Sequence, residues 1–499
     1  MSGSLTLQSL QDALGPKKDM KRIPIPLESY EHMSPPLSGK RLVNLFAETE
    51  PADARTAAAL ISTPGLVATA DAFGAGPVLA LNSDQPGVLY AISGTRAWRL
   101  TVPFGGTTVI EDLGDVGTAG GDDFAYNIAP TIAVGVNAAV FCVPPRAYTC
   151  SHTGPMNQIG GTFPATGARS VTYLDGYFVF TSGDFSSQFF CSLLLDPNDF
   201  DALDFAYADG VPNILRRVVT LAGQLWFIGD AAVEIWYNAG SSGLETTPGT
   251  SFFPFRRLHG GVIPFGAASM RSVVIADNSV WWVAARGIVF RSKDYQAQRV
   301  STHAIEKIIR EEGTANTELA LAYTQDGHTF VCWTYGPRTL VYDCATQVWH
   351  ERSSAADASL AWRPSCVAQV GEQVLFGDSL SGRLLSPVPG LETDDGVYVQ
   401  RRAVLPPLWA GTSRAFCSRL EIEMETGGIT PGGDIILEWS EDGTIWTGSR
   451  TMTAGTTGDY RGRVFCTRLG SFRARTFRIT AQHRITVYGV DAAISAGSW

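Results

Sequence analysis

The chain has 499 residues, of which 45% are hydrophobic and only 17% are charged, and its formal net charge is −10. This acidic balance argues against tight nucleic-acid binding, which depends mainly on neutralising phosphates. The sequence has no apolar run of about 18 residues and no signal-peptide core at its N-terminus, so we expect neither a helical membrane span nor secretion.

The first 66 residues differ from the rest of the chain. They are rich in proline, contain few alternating runs of apolar and polar residues, and carry charges at both ends. Such a segment has too few apolar side chains for a core of its own. Residues 1–66 are therefore predicted to form an extended arm that becomes ordered only on a neighbouring subunit or on another protein.

Residues 67–398 contain a repeated meander of short apolar strands. Its clearest copy has apolar runs separated by turn signals at Ala222-Gly223 and Gly229-Asp230. Six further copies occur at spacings of 39 to 55 residues, with turns at Pro86-Gly87, Val136-Asn137, Asp175-Gly176, Asp277-Asn278, Asp326-Gly327 and Gly371-Glu372. This period predicts a β-propeller of six or seven blades. The alternative is a β-sandwich or several small β-domains, but sandwich strands repeat every 8–12 residues or so without a longer period.

One helix is expected in the second half of the chain, at STHAIEKIIREE. Ser301 or Thr302 is placed to cap its N-terminus, and Ile305, Ile308 and Ile309 form one apolar stripe. The helix is an exception within a chain that otherwise predicts strands.

Residues 399–499 predict a separate C-terminal β-sandwich of about 100 residues. In RLEIEMETG the apolar Leu420, Ile422 and Met424 alternate with charged residues, and FRITAQ repeats the pattern with Phe477 and Ile479. Each strand therefore has one buried and one exposed face. The whole chain is predicted to be all-β: an extended N-terminal arm, a β-propeller and a C-terminal β-sandwich.

No sequence motif indicates a metal or cofactor site. The seven histidines never occur at metal-ligand spacing, and the eight cysteines are scattered singly, mostly in apolar strands. Isolated cysteines of this kind are typical of buried thiols in a reducing compartment. The sequence therefore predicts no cofactor, no metal and no disulfide framework.

Paired carboxylates are the one feature that could indicate an enzyme, because glycoside hydrolases use such pairs. The best cluster is Asp201, Asp204, Asp209 and Glu234, but Asp and Glu are also ordinary turn and edge residues. The stretch 440–446, SEDGTIW, resembles the Asp-box of sialidases, yet its adjacent Asp442 and Gly443 instead predict a hairpin turn. We predict no catalytic residues and no enzymatic activity.

Several segments together resemble the tail-hub family of short-tailed bacteriophages (podoviruses), also called packaged-DNA stabilisation proteins. The resemblance extends from about residue 40 to the C-terminus. The matching segments are VNLFAE (43–48), STPGL (62–66), DALDFAYADG (201–210), EIWYN (234–238), GGVIPFG (260–266), IEKIIR (305–310), GHTFVCW (327–333), VYDCATQVWHER (341–352) and the stretch 472–494.

The resemblance implies a structural virion tail protein. Six copies would form a ring, the hub or nozzle, below the portal and head-to-tail adaptor. The ring would continue the DNA channel, retain the packaged DNA and serve as a platform for the tail needle or tip and for tailspikes or fibres. Double-stranded DNA would pass through without sequence-specific binding, and no small-molecule substrate is expected. The chain would be assembled in the host bacterial cytoplasm.

Two other classes of protein stay open at this stage. The first is a propeller-based receptor-binding or glycan-hydrolysing phage protein, which would present a carboxylate pair in a cleft. The second is a cellular scaffold propeller of the WD type, although the sequence lacks the repeated G-H and W-D signature of that class.

Overall fold

The computed structural model describes residues 20–34, 36–49, 56–85, 87–101, 108–118, 128–240, 253–313, 319–425, 433–454, 458 and 463–496. Within these ranges the chain is almost entirely β-structure. None of the helices found there is long and apolar enough to cross a membrane.

Six strands form the N-terminal part of the described chain. They are β1 (Met20–Ile23), β2 (Tyr30–Glu31), β3 (Gly39–Val43), β4 (Leu45–Thr49), β5 (Ala58–Ser62) and β6 (Gly65–Ala72).

The next 27 strands build the propeller. Blades 1 to 4 contain β7 (Val78–Gln85), β8 (Val88–Ser93), β9 (Arg96–Thr101), β10 (Val109–Asp115), β11 (Thr131–Val134), β12 (Ala138–Val143), β13 (Arg146–Ser151), β14 (Met156–Gln158), β15 (Ala168–Leu174), β16 (Tyr177–Ser182), β17 (Gln188–Cys191), β18 (Phe205–Tyr207), β19 (Leu215–Leu221), β20 (Gln224–Gly229), β21 (Val233–Asn238) and β22 (Phe255–Ile263). Blades 5 to 7 contain β23 (Val274–Ala276), β24 (Ser279–Val283), β25 (Val289–Lys293), β26 (Gln296–Arg299), β27 (Leu319–Gln325), β28 (His328–Tyr335), β29 (Arg338–Asp343), β30 (Val348–Arg352), β31 (Pro364–Val370), β32 (Gln373–Asp378) and β33 (Arg383–Val388).

The described strands form seven four-stranded blades. Five blades are separate antiparallel sheets, the sixth (β27–β30) is part of a larger sheet, and the seventh pairs β33 with β6 from the N-terminal segment. The first strands of neighbouring blades pack side by side around the centre, and β31 contacts β7 to complete the circle. A single N-terminal strand thus closes the propeller. This architecture confirms the all-β propeller that the sequence predicts.

Tight turns join the first two strands of several blades at the predicted positions. In each of four blades, two successive residues take positive φ values, as the twisted two-residue hairpin turn requires. These pairs are Asp175 and Gly176, Ala222 and Gly223, Asp277 and Asn278, and Asp326 and Gly327.

The predicted helix, α1 (His303–Glu312), comes after blade 5. The side chain of Thr302 accepts a hydrogen bond from the backbone N–H of Ile305, which identifies Thr302 as the N-cap. Ile305, Ile308 and Ile309 are buried in a core shared with blades 5 and 6. Two short 3-10 helices (Met270–Ser272 and Ala285–Gly287) flank β23 and β24.

The strands after blade 7 extend a propeller sheet and complete a β-sandwich. β34 (Thr393–Asp394) and β35 (Val397–Tyr398) continue the blade 7 sheet beyond β6. The C-terminal strands of the sandwich are β36 (Arg401–Val404), β37 (Leu408–Trp409), β38 (Ala415–Met424), β39 (Asp434–Ser440), β40 (Trp446–Thr453), β41 (Val464–Thr467), β42 (Ser471–Phe472), β43 (Ala474–Ala481) and β44 (Thr486–Ala496).

Two sheets pack face to face in the sandwich. One has the strand order β4-β5-β44-β38-β41, and the other has the order β3-β36-β43-β39-β40 and continues into blade 6. Leu420, Ile422, Phe477 and Ile479 are all buried between the sheets, as their alternation in the sequence predicts.

The N-terminal segment differs from the expectation of an arm held only by another subunit. β1 pairs with β44, β3 with β36, and β5 with β44, so this part of the chain contributes strands to both sheets of the sandwich. The physical reason is that its few apolar side chains, Ile23 and Leu42 among them, are buried in the core of the C-terminal domain. Residues 1–19 lie outside the described residues.

Candidate functional site

One carboxylate of the cluster that could indicate an enzyme, Glu234, holds a loop in place. Glu234 on β21 is fully buried, and its Oε1 accepts a hydrogen bond from the backbone N–H of Gly210 at 2.6 Å. Its Oε2 accepts a hydrogen bond from the indole N–H of Trp236 at 3.2 Å. Burial raises the pKa of Glu234 even though these hydrogen bonds oppose the rise. Glu234 therefore fastens the end of the 201–210 segment to blade 4.

The other members of this cluster are placed as turn residues and packing groups. Asp201 accepts a hydrogen bond from the backbone N–H of Leu203 at 2.9 Å, Asp204 is buried, and Asp209 is exposed. The predicted Asp-Gly hairpin is also found, between β39 and β40. There, Asp442 Oδ1 accepts hydrogen bonds from the backbone N–H groups of two residues, Thr444 and Ile445, at 2.8 Å each.

The cysteines and histidines form no metal site within the described ranges. No group of three or more His, Cys, Asp or Glu side chains there is arranged to hold a metal ion. All eight cysteines are free thiols and six of them are buried. Burial raises the pKa of Cys150 to about 11, for example, which makes its thiol unreactive at neutral pH.

A different set of polar residues is concentrated where the propeller meets the sandwich. We call this region the junction and define it by Asn44, His328, Glu351 and Arg401. It brings together four of the segments that carry the family resemblance: VNLFAE, STPGL, GHTFVCW and VYDCATQVWHER.

Asn44 connects the end of β30 to the strand that begins the sandwich. Its side-chain amide donates hydrogen bonds to the carbonyl oxygens of Ser353 and Gln400, both at 2.8 Å. Its side-chain oxygen accepts the backbone N–H of Ser353 at 3.0 Å. The φ of Asn44 is 53°, a conformation that asparagine tolerates better than most residues. One amide thus joins the propeller to the interdomain link.

Arg401 gathers four backbone carbonyls in the interior of the junction. Its fully buried guanidinium donates to the carbonyl oxygens of Gln482 at 2.7 Å, Val399 at 3.1 Å, Glu392 at 3.3 Å and Thr63 at 3.4 Å. Burial lowers the pKa of Arg401 to about 10. These carbonyls belong to the N-terminal segment, the interdomain link and the sandwich, so a single side chain holds all three.

Glu351 is the centre of a buried ion network. Both of its carboxylate oxygens accept hydrogen bonds from Arg41 on β3 and from Arg338 on β29, at 2.8 to 3.0 Å. Arg338 also reaches Glu31 at 3.2 Å. Burial alone would raise the pKa of Glu351, but the two arginines outweigh it and lower that pKa to about 2. Ion pairs thereby hold the N-terminal segment against blade 6.

His328, which also belongs to blade 6, bridges two carboxylates. Its Nδ1 lies 2.7 Å from Asp343 and its Nε2 lies 2.8 Å from Glu48 on β4. Burial lowers the pKa of His328, but these two hydrogen bonds raise it further than burial lowers it, so the net shift is upward. The neighbouring Arg352 is fully buried and lies over the rings of Phe330 and Trp362, at 5.0 and 5.1 Å from their centroids.

No local sequence pattern indicates the junction. Asn44 is a single polar residue within an apolar stretch, whereas Glu351 and Arg401 simply lie beside other polar residues. The contacts that join the domains link each of the three to a residue more than 300 positions away: Asn44 to Ser353, Glu351 to Arg41 and Arg401 to Thr63. The only signal in the sequence is that the resembling segments contain polar residues at the ends of strands. In the fold, these residues join the two domains into one continuous β-structure.

Comparison with known proteins identifies the family. The profile described as "Bacteriophage P22 Gp10, beta-propeller" matches residues 23–386, and the one described as "Bacteriophage P22 Gp10, beta-sandwich" matches residues 400–495. No curated protein sequence matches the chain.

Solved propeller structures are similar at low sequence identity. A streptogramin B lyase is 13% identical, with 65% of this chain and 98% of the lyase covered at a TM-score of 0.43. A virginiamycin B lyase from Staphylococcus aureus is 11% identical, covering 65% and 99% at 0.43. The WD40 β-propeller domain of Doa1 is 8% identical, covering 65% and 98% at 0.39.

The two family matches cover the propeller and the C-terminal part of the sandwich, and together they span most of the chain. This protein therefore belongs to the bacteriophage P22 Gp10 family and is a structural protein of a phage tail.

Proposed function

We propose that the chain forms the tail hub: a ring of six copies below the portal and head-to-tail adaptor. The ring continues the DNA channel, retains the packaged DNA and takes part in its ejection. It also carries the tail needle or tip and the tailspikes or fibres. Assembly takes place in the host bacterial cytoplasm.

The junction is the observation that carries this proposal. Domains in one chain move relative to each other unless their interface is large and well packed. Here β3 and its sheet continue directly from blade 6, and Val43 bridges Glu351 in parallel register. Together with the ion network around Glu351, this continuity makes a subunit without an internal hinge. A ring that transmits force between the head and the tail tip needs such subunits.

The charge of the chain supports the proposal that DNA passes through the channel. The net charge of −10 disfavours tight adhesion to phosphates, whereas residues 400–499 alone carry 12 arginines against 9 acidic residues. The sandwich is therefore the more basic end of the subunit.

Exposed apolar side chains support the proposal that the chain contacts several other proteins. Trp409 and Ile445 on the sandwich are 75% and 64% exposed, and Leu203 on the propeller is 71% exposed. Large exposed hydrophobic residues of this kind commonly mark protein contacts.

Retention of DNA by assembled particles tests the proposed role. A phage with a nonsense mutation in this gene should fill its heads and then lose the genome, so that nuclease digests the released DNA. Supplying the wild-type chain from a plasmid should restore protection. Particles that lack the chain and still hold nuclease-resistant, full-length DNA would contradict the proposal.

A further inference from the structure

Two exposed surfaces lie at opposite ends of the subunit. The first is the outer edge of blade 3, formed by β18 and the loop before it, because β18 is the last strand of its sheet. The second belongs to the sandwich, which extends outward from β30, the outermost strand of blade 6, beside blade 7. In a circle of seven blades, blade 3 is three blades away from both blade 6 and blade 7. It therefore lies across the propeller from the sandwich.

The outer edge of blade 3 is apolar and acidic. We call this surface the rim and define it by its exposed side chains, Leu194, Leu195, Asp196, Asp199, Leu203 and Phe205. Residues 186–215 contain five aspartates and no lysine or arginine. Asp196 accepts a hydrogen bond from Asn198, and Asp199 accepts one from Thr162. Neither forms an ion pair with a lysine or arginine in the described part of the chain, so the rim carries uncompensated negative charge.

The free end of the sandwich is aromatic and basic. We call it the apex and define it by its exposed side chains, Trp409, Arg414, Phe416, Arg468 and Arg473. These residues lie on two segments that run side by side, since β37 pairs with β43 and β38 pairs with β42. Segments 405–418 and 467–475 contain no aspartate or glutamate. Glu441 reaches this end of the sandwich, but the buried Arg475 balances its charge at 3.0 Å. The three arginines of the apex form no ion pair with any described carboxylate.

The apex projects away from the propeller. β43 has eight residues, which span roughly 25 Å as an extended strand. Just beyond its last residue, the carbonyl oxygen of Gln482 accepts a hydrogen bond from Arg401 at the junction. At its first residue, Ala474 pairs with Trp409 of the apex. The length of β43 thus separates the apex from the junction, and the apex is accessible to another molecule.

The rim and the apex complement each other. Tryptophan and arginine are enriched among the residues that contribute most to protein interfaces, and the leucines of the rim offer an apolar surface for the aromatic side chains. Opposite charges on two such surfaces steer them together and fix their register. Because the two surfaces lie at opposite ends of one subunit, they meet between two copies and not within one.

We propose that the rim of one copy docks on the apex of the next copy, with the leucines of the rim against Trp409 and Phe416 and its aspartates facing the three arginines. A second copy is the partner that the charges favour, because both complementary surfaces belong to this chain. Such a head-to-tail contact closes into a ring when the rotation between copies permits. The inference rests on the proposed ring and names the surfaces through which its neighbours meet.

Carbodiimide cross-linking tests this contact, because the reagent joins an amine directly to a carboxylate with loss of water. Arg473→Lys supplies an amine at the apex and keeps the positive charge. The variant is cross-linked as the purified full chain, in a mixture of isotope-labelled and unlabelled copies, and also in tails assembled from plasmid-supplied chain. Mass spectrometry should find a link between position 473 of one copy and Asp196 or Asp199 of another. Arg450→Lys, at an exposed position on β40, is the control and should give no link to the rim.

A substitution on the rim tests the same contact from the other side. Leu203→Arg removes an apolar side chain and adds a positive charge that faces the arginines of the apex. Combined with Arg473→Lys, it should lower the yield of the link by about tenfold or more. Leu380→Arg is the matched control, because Leu380 is 75% exposed on blade 7, and it should leave the yield unchanged.

The docking is overturned if position 473 forms no link to the rim of a second copy in either preparation, or if it is linked in tails to a different protein instead. Equal yields from Leu203→Arg and Leu380→Arg would overturn it as well. These results are distinct from a failure of the hub role. A ring of six copies without the link would contradict the docking alone, whereas linked copies of the purified chain together with tails that lack the chain would contradict the hub alone.

Discussion

Arg41 and Glu351 are 310 residues apart in sequence and form a two-point ion pair, with Nε and Nη2 of Arg41 at 3.0 and 2.9 Å from the two carboxylate oxygens. This pair joins β3 of the N-terminal segment to β30 of blade 6. Because Arg338 binds the same carboxylate, the buried Glu351 balances two positive charges.

Glu351→Gln should destabilise the protein strongly. The substitution keeps the size of the side chain but leaves Arg41 and Arg338 with only the partly exposed Glu31 as a shared counter-charge. Removing one partner of a buried ion pair costs about 3–5 kcal/mol of unfolding free energy. Denaturant unfolding of the purified chain measures this loss. Asp112→Asn, which breaks the exposed pair between Arg96 and Asp112, is the control and should cost far less, because exposed pairs contribute little to stability. Equal losses in the two variants would show that the junction is not held by charge.

Two truncations distinguish the contribution of the described N-terminal strands to stability from that of the residues before them. Deleting residues 1–40 removes β1 and β2 and exposes the site of Ile23, which is 2% exposed. Burying one isoleucine contributes about 1.5–3 kcal/mol, so the shortened chain should be clearly less stable. Deleting residues 1–19 leaves all described strands and should preserve stability. Denaturant unfolding of both truncations checks this, and a 1–40 deletion as stable as the wild type would contradict the observed pairing.

Asp394 predicts a specific dependence of stability on pH. Burial raises its pKa from an ordinary value of 3.8 to about 6, although Ser354 and the backbone N–H of Leu66 donate hydrogen bonds to it. A group whose folded pKa is raised stabilises the fold fully below its unfolded pKa and loses that contribution as pH rises. The loss should therefore occur between about pH 4 and pH 6 and amount to about 3 kcal/mol.

The comparison with Asp394→Asn isolates this contribution. The unfolding free energy of the wild type minus that of Asp394→Asn should fall as pH rises from about 4 to about 6, and it should stay constant above about 7. Urea unfolding at each pH gives the difference directly. A difference that does not change with pH would show that Asp394 is not buried as described.

Glu234 should prove structural. Glu234→Gln retains only one oxygen for two donors, the N–H of Gly210 and the indole of Trp236, so about 1–3 kcal/mol should be lost. Asp209→Asn, at an exposed site of the same loop, should cost less than about 0.5 kcal/mol. Asp201→Asn and Asp204→Asn should cost on the order of 1 kcal/mol each. Cleavage of host polysaccharide by the purified chain, abolished in Glu234→Gln, would instead establish an enzyme.

The features of the fold that could be predicted from the sequence are those that depend on local patterns. The blade turns at Asp175-Gly176 and Asp326-Gly327 depend on neighbouring residues only, and so does the cap of α1 at Thr302. The alternation of Leu420 and Ile422 is equally local, and all of these were predicted. The pairing of β6 with β33 and of β1 with β44 depends on contacts more than 300 residues apart, which leave no local pattern.

The same distinction applies to the functional site. Arg401 is one arginine among 32, and nothing near it in sequence shows that it binds carbonyls from three parts of the chain. The family resemblance indicated the segments that form the junction, but not that they meet.

The symmetry of the assembled tail tests the central proposal most directly. Electron microscopy of purified tails, averaged without imposed symmetry, should show a ring of six copies of this chain between the adaptor and the tail tip. Within each copy the propeller and sandwich should keep the orientation fixed by the Arg41–Glu351 pair. A ring of another order, or tails in which the chain does not surround the DNA channel, would contradict the hub account.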